Sequence, residues 1–284
     1  MATIGIVSAG YMGSGLGRAL LDGGARVVTT LEGRSPRTAR LAAGAGLELL
    51  PTLTDVMSTA DVVLLVTPPA EAVRNARAVA VAIRKAGPAR EPVVADLNAV
   101  SPGTMAEVAR ALEGLPVVDG SISGPPPTAE PGAHVYLSGA RAAEVAALPW
   151  NGRVRPVVLG PEIGTASALK MCTASVLKGV NALITQAIRT AGRHGVLDAV
   201  LAELTRNGFS GAAGVARSAT KAGRYVGEMR EIATTQSEAG LTPALFLAFA
   251  EVYADIATTP LAQGSPESTS DLPPSEIVAR LTVT

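Results

Sequence analysis

The chain of 284 residues has few of the side chains that build disulfides or metal centres. It contains one cysteine and two histidines, so no internal disulfide can form and the usual zinc ligand sets cannot be assembled. These counts indicate a reducing compartment, and we expect no structural metal. The first residues lack a basic segment and a small-residue cleavage site, so they predict a strand rather than a secretion signal, and the cytoplasm is the expected location.

Net charge, aromatic residues and long apolar runs are also lacking. The 24 Lys and Arg balance the 24 Asp and Glu, and aromatic residues are only 3%, so we expect no nucleic-acid partner. The longest apolar runs, such as 62–66 and 244–250, fall far short of the ~20 residues that cross a bilayer, so we expect no membrane partner. Hydrophobic residues nevertheless make up 48% of the chain, enough for a sizeable core, and at roughly 150 residues per domain the length suggests two domains.

The first half of the sequence alternates short apolar runs with helix-like stretches. The runs are bounded by Pro, Gly, Asp or Asn, and they predict strands at 3–7, 26–30, 47–50, 60–67, 93–97 and 116–119. Such alternation is typical of βαβ units around a parallel sheet. The continuous apolar run 62–66 favours a strand that is covered on both faces. Residues 1–160 are therefore expected to form an α/β, Rossmann-like, doubly wound sheet domain.

The second half has a different pattern. No proline occurs from 163 to 195, and apolar residues recur there at three- and four-residue spacing, which predicts one long helix. Further helices are predicted at 197–205, 211–234, 242–257 and 276–281. Residues 161–284 are therefore expected to form an all-helical domain for substrate binding and dimerisation. Because the long helix is apolar on more than one face, we expect a homodimer.

A glycine-containing turn follows the first predicted strand. It reads Ser8, Ala9, Gly10, Tyr11, Met12 and Gly13. Gly10 and Gly13 occupy the positions where a backbone approaches a pyrophosphate and where a helix packs closely on its strand. Ser8 replaces the first glycine of the dinucleotide fingerprint. The segment predicts a dinucleotide site, and a Gly-rich turn that binds nothing is the alternative.

The end of the second predicted strand bears on which nicotinamide cofactor binds. An acidic side chain there serves the ribose hydroxyls of NAD, whereas basic side chains accommodate the 2′-phosphate of NADP. The stretch contains Glu32, Gly33, Arg34, Ser35 and Arg37. Arg34, Ser35 and Arg37 favour NADP, while Glu32 leaves NAD open. The two arginines could also simply be solvated at a helix N-terminus.

Three motifs occur in the order and approximate spacing of a known family. They are Gly10-Tyr11-Met12-Gly13, then Asp119-Gly120-Ser121-Ile122-Ser123-Gly124, then Gly160-Pro161-Glu162-Ile163-Gly164 leading to Lys170. Together they resemble the β-hydroxyacid dehydrogenases, relatives of 3-hydroxyisobutyrate dehydrogenase and 6-phosphogluconate dehydrogenase. The resemblance covers most of the chain. Residues 32–35 and 224–229 look like a branch whose C-terminal helical domain has no assigned function.

The resemblance implies a catalytic lysine and a carboxylate-binding segment. Lys170 matches the family's catalytic lysine, and the apolar residues around it are expected to disfavour its charged form. A lysine whose ammonium reaches solvent is the alternative. Ser123 and Gly124 match the segment that holds the substrate carboxylate, and Thr173, three residues after Lys170, could face the same pocket.

Further family contacts and departures follow from the same comparison. Thr67, Pro68 and Asn98 stand where family members contact the cofactor. Prolines 125–127 follow Gly124 where another glycine is frequent, and Ala174 stands near the position of a family asparagine. We interpret Asp96 as a loop residue and Cys172 as a small buried hydrophobe.

The implied function is that of an NAD(P)-dependent dehydrogenase or reductase, with NADP preferred, acting on a small-molecule carboxylate. Imine reductases share the architecture but generally replace the lysine, so an imine reductase is one alternative. Because Ser8, Thr173 and Ala174 depart from the family pattern, a non-catalytic nucleotide-binding protein is another.

Overall fold

The computed structural model describes residues 2–128, 132–209, 211–264 and 272–281. The chain divides into two compact units, Met1–Met171 and Cys172–Thr284. No helix in the described ranges is long and apolar enough to cross a membrane.

The first unit is built on one sheet of eight strands. The strands are β1 (Thr3–Val7), β2 (Arg26–Thr29), β3 (Glu48–Leu49), β4 (Val62–Leu65), β5 (Val93–Asp96), β6 (Val117–Ser123), β7 (Ala133–Ser138) and β8 (Val154–Gly160). Their order is β3-β2-β1-β4-β5-β6-β7-β8, and each neighbouring pair is parallel except β6 and β7. The order reverses at β1, so the predicted doubly wound sheet is confirmed. The carboxyl ends of β1, β2, β4, β5 and β6 therefore lie along one edge, where such sheets bind ligands.

Helices cover both faces of this sheet. They are α1 (Tyr11–Asp22), α2 (Pro36–Gly44), α3 (Leu53–Thr59), α4 (Ala72–Ala86), α5 (Pro102–Ala111) and α6 (Ala142–Ala146), with a 3-10 turn at Pro69–Glu71. Leu64 belongs to an apolar cluster with α1, whereas Val63 and Leu65 belong to a second cluster with α3, α4 and α5. All four residues of β4 are buried, as the continuous apolar run predicts.

One helix begins in the first unit, and helices make up the second. The helix α7 (Thr165–Arg193) begins in the first unit and continues into the second, which also contains α8 (Leu197–Arg206), α9 (Ala212–Ala219), α10 (Ala222–Glu238), α11 (Ala244–Ala257), a 3-10 turn at Pro260–Gln263 and α12 (Pro274–Arg280). The helical character expected of the C-terminal region is confirmed.

Several predicted elements differ from the structure. The single helix expected over 211–234 is two helices, because the hydroxyls of Ser218 and Thr220 donate to the carbonyls of Val215 and Arg217 and compete with helical bonding at the break. The strand predicted to end at Asp119 continues to Ser123, since β7 pairs with it as far as His134. Strand β8 and helix α6 were not predicted at all.

Candidate functional site

The turn between β1 and α1 needs its glycines for two different reasons. A Cβ at Gly13 would lie 2.4 Å from the carbonyl oxygen of Ser8, so this close approach admits no side chain. A Cβ at Gly10 would meet nothing within 4 Å. Gly10 is the N-cap of α1, and no side chain caps this helix. The space beside Gly10 is therefore open to a group that takes the N–H donors of the first turn.

Ser8, which replaces the first fingerprint glycine, adopts a backbone conformation that favours glycine. Its φ is 73°, and it is the one non-glycine with positive φ in the described part of the chain. Such a conformation costs of the order of 1 kcal/mol for a residue with a Cβ. The substitution thus keeps the turn that the fingerprint requires. Ala9 is buried, Tyr11 is exposed, and Met12 is half-buried against the core.

Buried polar side-chain atoms without hydrogen-bond partners lie at this edge of the sheet, where a dinucleotide could supply partners. In the described ranges, three buried side-chain polar atoms make no hydrogen bond, namely Arg34 Nε, Thr67 Oγ1 and Glu71 Oε2. Glu71 Oε2 is in ion-pair contact with Arg74. These atoms belong to the segments that follow β2 and β4, on either side of β1. Buried polar atoms without partners are rare unless a ligand or water supplies one, and the first turn of α1 contains no acidic residue that would repel a pyrophosphate.

The polar and charged side chains after β2 differ in their exposure and in their hydrogen-bond partners. The Glu32 carboxylate accepts a long hydrogen bond of 3.4 Å from the Leu53 N–H at the start of α3. Ser35 is the N-cap of α2 and its hydroxyl accepts from the Thr38 N–H. Gly33, in the turn between Glu32 and Ser35, has φ 68°. Arg37 is exposed. Only Arg34 of this segment has a buried, unpaired donor.

Arg34 lies in a positively charged environment. Burial lowers the pKa of its guanidinium, the positive charge of Arg74 lowers it further, and the carboxylate of Glu71 opposes both effects. Arg74 is in the first turn of α4, forty residues from Arg34 along the chain. No local sequence signal pairs these two arginines, so sequence reasoning missed Arg74.

A buried carboxylate fixes the ends of β4 and β5 relative to each other. The Asp96 carboxylate accepts from the backbone N–H and the side-chain amide of Asn98, each at 2.9 Å. The Asn98 side-chain oxygen in turn accepts from the Thr67 N–H at 2.6 Å. Burial raises the pKa of Asp96 to about 7, with hydrogen bonds from Asn98 opposing and the Asp119 charge adding to the rise. Asp96 is thus a fully buried residue of β5, and its interpretation as a loop residue was wrong.

The Asn98 side chain is occupied within the protein. Its amide donates to Asp96 and its oxygen accepts from Thr67, so it holds the backbone of Thr67 in place next to Pro68. Asn98 therefore has a positioning role within the protein, and the cofactor contact predicted for it stays a prediction. The unpaired hydroxyl in this group is that of Thr67.

A second buried carboxylate anchors the start of the long helix. Asp119 Oδ2 accepts from the backbone N–H groups of Gly164, Ala166 and Ser167 at 2.9–3.1 Å and from the Ser138 hydroxyl at 3.0 Å. Its Oδ1 accepts from the Ser167 hydroxyl at 2.7 Å. The N-terminal N–H groups of α7 are therefore satisfied by a side chain of β6, a strong interaction for a helix N-terminus. This fixes where α7 begins relative to the sheet.

The anchored helix places Lys170 at the end of β6. Lys170 Nζ donates a hydrogen bond of 2.6 Å to the carbonyl oxygen of Ile122, the residue before Ser123. Lys170 and Ser123 are both half-buried, and Gly124 is exposed. The structure therefore brings together the predicted catalytic lysine and the predicted carboxylate-binding segment, all within the first unit.

Gly124 and the prolines after it have restricted surroundings. Gly124 has φ 123°, and a Cβ there would lie 2.9 Å from the Gly132 carbonyl oxygen. Pro126 and Pro127 contact α1, because a Cβ added at Gly15 would lie 3.0 and 3.2 Å from their side chains. The segment after Ser123 thus packs directly on α1. The N-terminus of this helix forms part of the turn at residues 8–13 that would hold the pyrophosphate, the phosphate turn.

The residues of α7 beyond Lys170 belong to the second unit. Thr173 is exposed, so the structure gives no enclosed pocket around it within that unit. Cys172 is also exposed, and its interpretation as a buried hydrophobe was wrong because it faces away from the buried neighbours Met171 and Ala174. Among the residues that the structure describes, no group of three or more His, Cys, Asp and Glu could hold a metal ion.

Two known family models match this chain. The model of the NAD binding domain of 6-phosphogluconate dehydrogenase matches residues 3–149, which is more than half of the chain. A domain of unknown function (DUF1932) matches residues 191–256. The chain therefore belongs to the family of proteins with the 6-phosphogluconate dehydrogenase type of NAD-binding domain, and its cofactor is a nicotinamide dinucleotide.

Individual relatives agree with this assignment. The uncharacterized 28.5 kDa protein in the 7S RNA 5′ region of Methanothermus fervidus is 26% identical over 70% of this chain and 74% of its own length. The conserved protein MTH1747, of unknown function and described as structurally similar to 3-hydroxyacid dehydrogenases, is 29% identical with a TM-score of 0.67, covering 90% of this chain and 96% of its own.

More distant structures share the fold. The 3-hydroxyisobutyrate dehydrogenase of Mycobacterium tuberculosis, solved with L-serine, is 20% identical with a TM-score of 0.65 over the whole of both chains. An imine reductase variant from Myxococcus stipitatus, solved with NAD+, is 18% identical with a TM-score of 0.55, covering 90% of this chain and 92% of its own. The chain thus shares the fold of these two enzymes.

Proposed function

We propose that this protein is an NADP(H)-dependent oxidoreductase that transfers hydride to or from a small hydroxy or oxo carboxylate, with Lys170 as general acid and base. The observation that supports this most is the position of Lys170 Nζ, 2.6 Å from the Ile122 carbonyl oxygen and therefore beside Ser123 and Gly124. A proton-transfer group and an anion-binding segment adjoin each other there, as a hydroxy acid substrate requires.

Each part of the site has a separate task in this reaction. The nicotinamide, when bound, supplies or accepts the hydride. The Ser123 hydroxyl and the backbone at Gly124 hold the substrate carboxylate. In the reducing direction Lys170 donates a proton from its ammonium to the substrate oxygen while the substrate carbon gains hydride, and in the oxidising direction the neutral amine takes that proton back. Holding the substrate at both groups contributes orientation, which lowers the barrier further.

The preference for NADP is supported by the charges after β2 and β4. Arg34 offers a buried, unpaired Nε donor, whereas Glu32 is directed at the N-terminus of α3. A 2′-phosphate would pair with Arg34 and with Ser35 and Arg37 beside it. A ribose that carries only hydroxyls would offer Arg34 no charged acceptor.

Imine reduction is the second candidate, because imine reductases share this fold. An imine substrate lacks the carboxylate that Ser123 and Gly124 would hold, so the retained Lys170 beside this segment favours a hydroxy or oxo acid. A nucleotide-binding protein without activity is the third candidate. The test measures NADPH oxidation with panels of oxo acids, aldehydes and cyclic imines. Turnover of oxo acids supports the proposal, turnover of imines alone supports the second candidate, and binding without turnover supports the third.

We also propose that the protein forms a homodimer through α7. Val176, Leu177 and Leu183 on this helix are 63%, 67% and 58% exposed, and exposed apolar side chains grouped on one element mark an interaction surface. Light scattering of the wild-type chain should give the mass of a dimer, and Leu177→Glu should reduce it. A monomer mass for the wild-type chain at micromolar concentration would refute this proposal.

A further inference from the structure

The segments after β2 and β4 end on either side of β1 and bring three charged side chains into one neighbourhood. Arg34 comes from the first segment, and Glu71 and Arg74 come from the second. The charges of Arg74 and Glu71 both act on Arg34. The group therefore has two positive charges and one negative charge beside the expected adenosine end of the cofactor site.

One hydrogen-bond donor of Arg34 has no partner in its surroundings. Its Nε is buried and makes no hydrogen bond to any described residue. Two guanidinium groups that act on each other repel, and this repulsion is relieved when an anion binds both. The single carboxylate of Glu71 is in contact with Arg74 and accepts no hydrogen bond from Arg34 Nε.

Arg74 can exchange its partner. Its side chain is 76% exposed, and its pairing with Glu71 is an i,i+3 contact at the start of α4. Surface ion pairs of this kind contribute little stability. A more highly charged anion that arrives between the arginines would therefore draw Arg74 away from Glu71 at small cost.

We propose that Arg74 is a specificity-determining residue, which together with Arg34 binds the 2′-phosphate of an NADP-type dinucleotide, and that Glu71 is the counter-ion of Arg74 in its absence. This inference rests on the proposed NADP-dependent function and adds a second cation that the sequence motif does not contain. A phosphate dianion matches two guanidinium groups in charge and in hydrogen-bonding geometry. A ribose with a free 2′-hydroxyl cannot displace Glu71, so Arg74 contributes nothing to NADH binding.

The experiment measures dissociation constants of the full chain for NADPH and NADH by titration of intrinsic or cofactor fluorescence. Arg74→Met keeps the length of the side chain and removes its charge, and it should weaken NADPH binding about tenfold while NADH binding changes less than about twofold. Glu71→Gln removes the competing carboxylate and should strengthen NADPH binding alone. Arg84→Met is the matched control, because Arg84 is exposed in the last turn of the same helix, and it should change neither constant.

The source of the phosphate is tested by competition against NADPH. Adenosine 2′,5′-bisphosphate should compete far better than adenosine 5′-monophosphate, and Arg74→Met should reduce the difference between them about tenfold, with Arg34 accounting for the rest. Equal competition by inorganic phosphate at the same concentration would assign the arginines to a free anion and overturn the inference.

The failures of the two proposals are distinguishable. If the wild-type chain prefers NADPH but Arg74→Met leaves the ratio of the two constants unchanged, the role of Arg74 is wrong and the proposed function stands. If the wild-type chain binds NADH as tightly as NADPH, both the NADP preference and the inference are wrong. If it binds neither dinucleotide, the proposed function itself fails.

Discussion

Lys170 Nζ donates a hydrogen bond of 2.6 Å to the carbonyl oxygen of Ile122. A carbonyl can only accept, so this bond fixes the direction of the lysine donor and holds the amine at the end of β6. The residue that follows is Ser123, the first member of the expected carboxylate-binding segment. The bond thus sets the separation between the proposed proton-transfer group and the segment proposed to hold the substrate.

Replacing Lys170 by alanine should abolish turnover without removing the cofactor site. We expect Lys170→Ala to lower kcat at least about 100-fold, the usual contribution of a general acid or base, while the dissociation constant for NADPH stays within about twofold. Steady-state kinetics on the substrate found by the panel, together with fluorescence titration of NADPH, measure both quantities.

The control for this change is Lys85→Ala. Lys85 is exposed in the last turn of α4, and its replacement should leave kcat unchanged. Lys178, eight residues after Lys170 on the same helix, is unsuitable as a control because it is ion-paired with buried Glu228 and lies 4.6 Å from the ring centre of Tyr225. Normal turnover by Lys170→Ala would remove Lys170 from the mechanism.

The two glycines of the phosphate turn should respond oppositely to alanine. Gly10→Ala adds a Cβ that meets nothing within 4 Å, so the protein should unfold at an unchanged temperature but bind NADPH at least about tenfold more weakly. Gly13→Ala places a Cβ 2.4 Å from the Ser8 carbonyl oxygen and should lower the free energy of unfolding by about 2 kcal/mol. Thermal unfolding and NADPH titration of both variants check this.

Gly44→Ala is the matched control for these two variants. Gly44 is exposed at the end of α2 and a Cβ there also meets nothing within 4 Å. It should leave NADPH binding unchanged and stabilise the helix slightly. If Gly10→Ala binds NADPH normally, the pyrophosphate does not approach this turn.

The phosphate turn could be predicted from sequence because its signal is local. Gly10 and Gly13 are three residues apart between an apolar run and a helical pattern, and the geometry of one turn explains both. The role of Asp119 could not be predicted, because its donors Gly164, Ala166 and Ser167 lie 45–48 residues further along the chain. A carboxylate after a strand has many uses, and only the folded arrangement selects one.

The same limit applies to the strands near the sheet edge. Strand β8 spans Val154–Gly160, contains a proline and has only one buried residue, Val154. Its apolar pattern is therefore too weak to separate it from a loop. Its pairing with β7 is what stabilises it. The buried strands of the first half were predictable because both faces are covered and the apolar run is continuous.

Removing the Asp119 carboxylate should destabilise the first unit. Asp119→Ala leaves the buried N–H groups of Gly164 and Ser167 without their carboxylate acceptor, while the Ala166 N–H keeps only the Ser138 hydroxyl oxygen. Unpaired buried donors are costly. We expect a loss of about 3 kcal/mol in the free energy of unfolding, measured by urea denaturation. Asp119→Asn retains one acceptor oxygen and should lose less.

The control for Asp119 is Asp198→Ala. Asp198 is an exposed residue in the first turn of α8, so its loss removes a helix-dipole interaction worth under about 1 kcal/mol. Equal effects at the two positions would contradict the anchoring of α7 by Asp119.

Asp96 should make the stability of the protein depend on pH. Burial raises the pKa of Asp96 to about 7 in the folded state, from the value of 3.8 for an aspartate that is not buried. Between about pH 4 and 7 the folded state therefore holds a proton that the unfolded state has released, so stability falls as pH rises through this window and this contribution is constant above it. The slope approaches at most about 1.4 kcal/mol per pH unit for one group.

Urea denaturation of the wild-type chain and of Asp96→Asn at several values between pH 5 and 8 isolates this contribution. The free energy of unfolding of the wild-type chain minus that of Asp96→Asn should fall as pH rises to about 7 and become constant above pH 7 to 8, because asparagine does not titrate. If the Asp96→Asn difference were constant across the whole window, Asp96 would be ionised throughout, and its hydrogen bonds from Asn98 would outweigh the cost of burial.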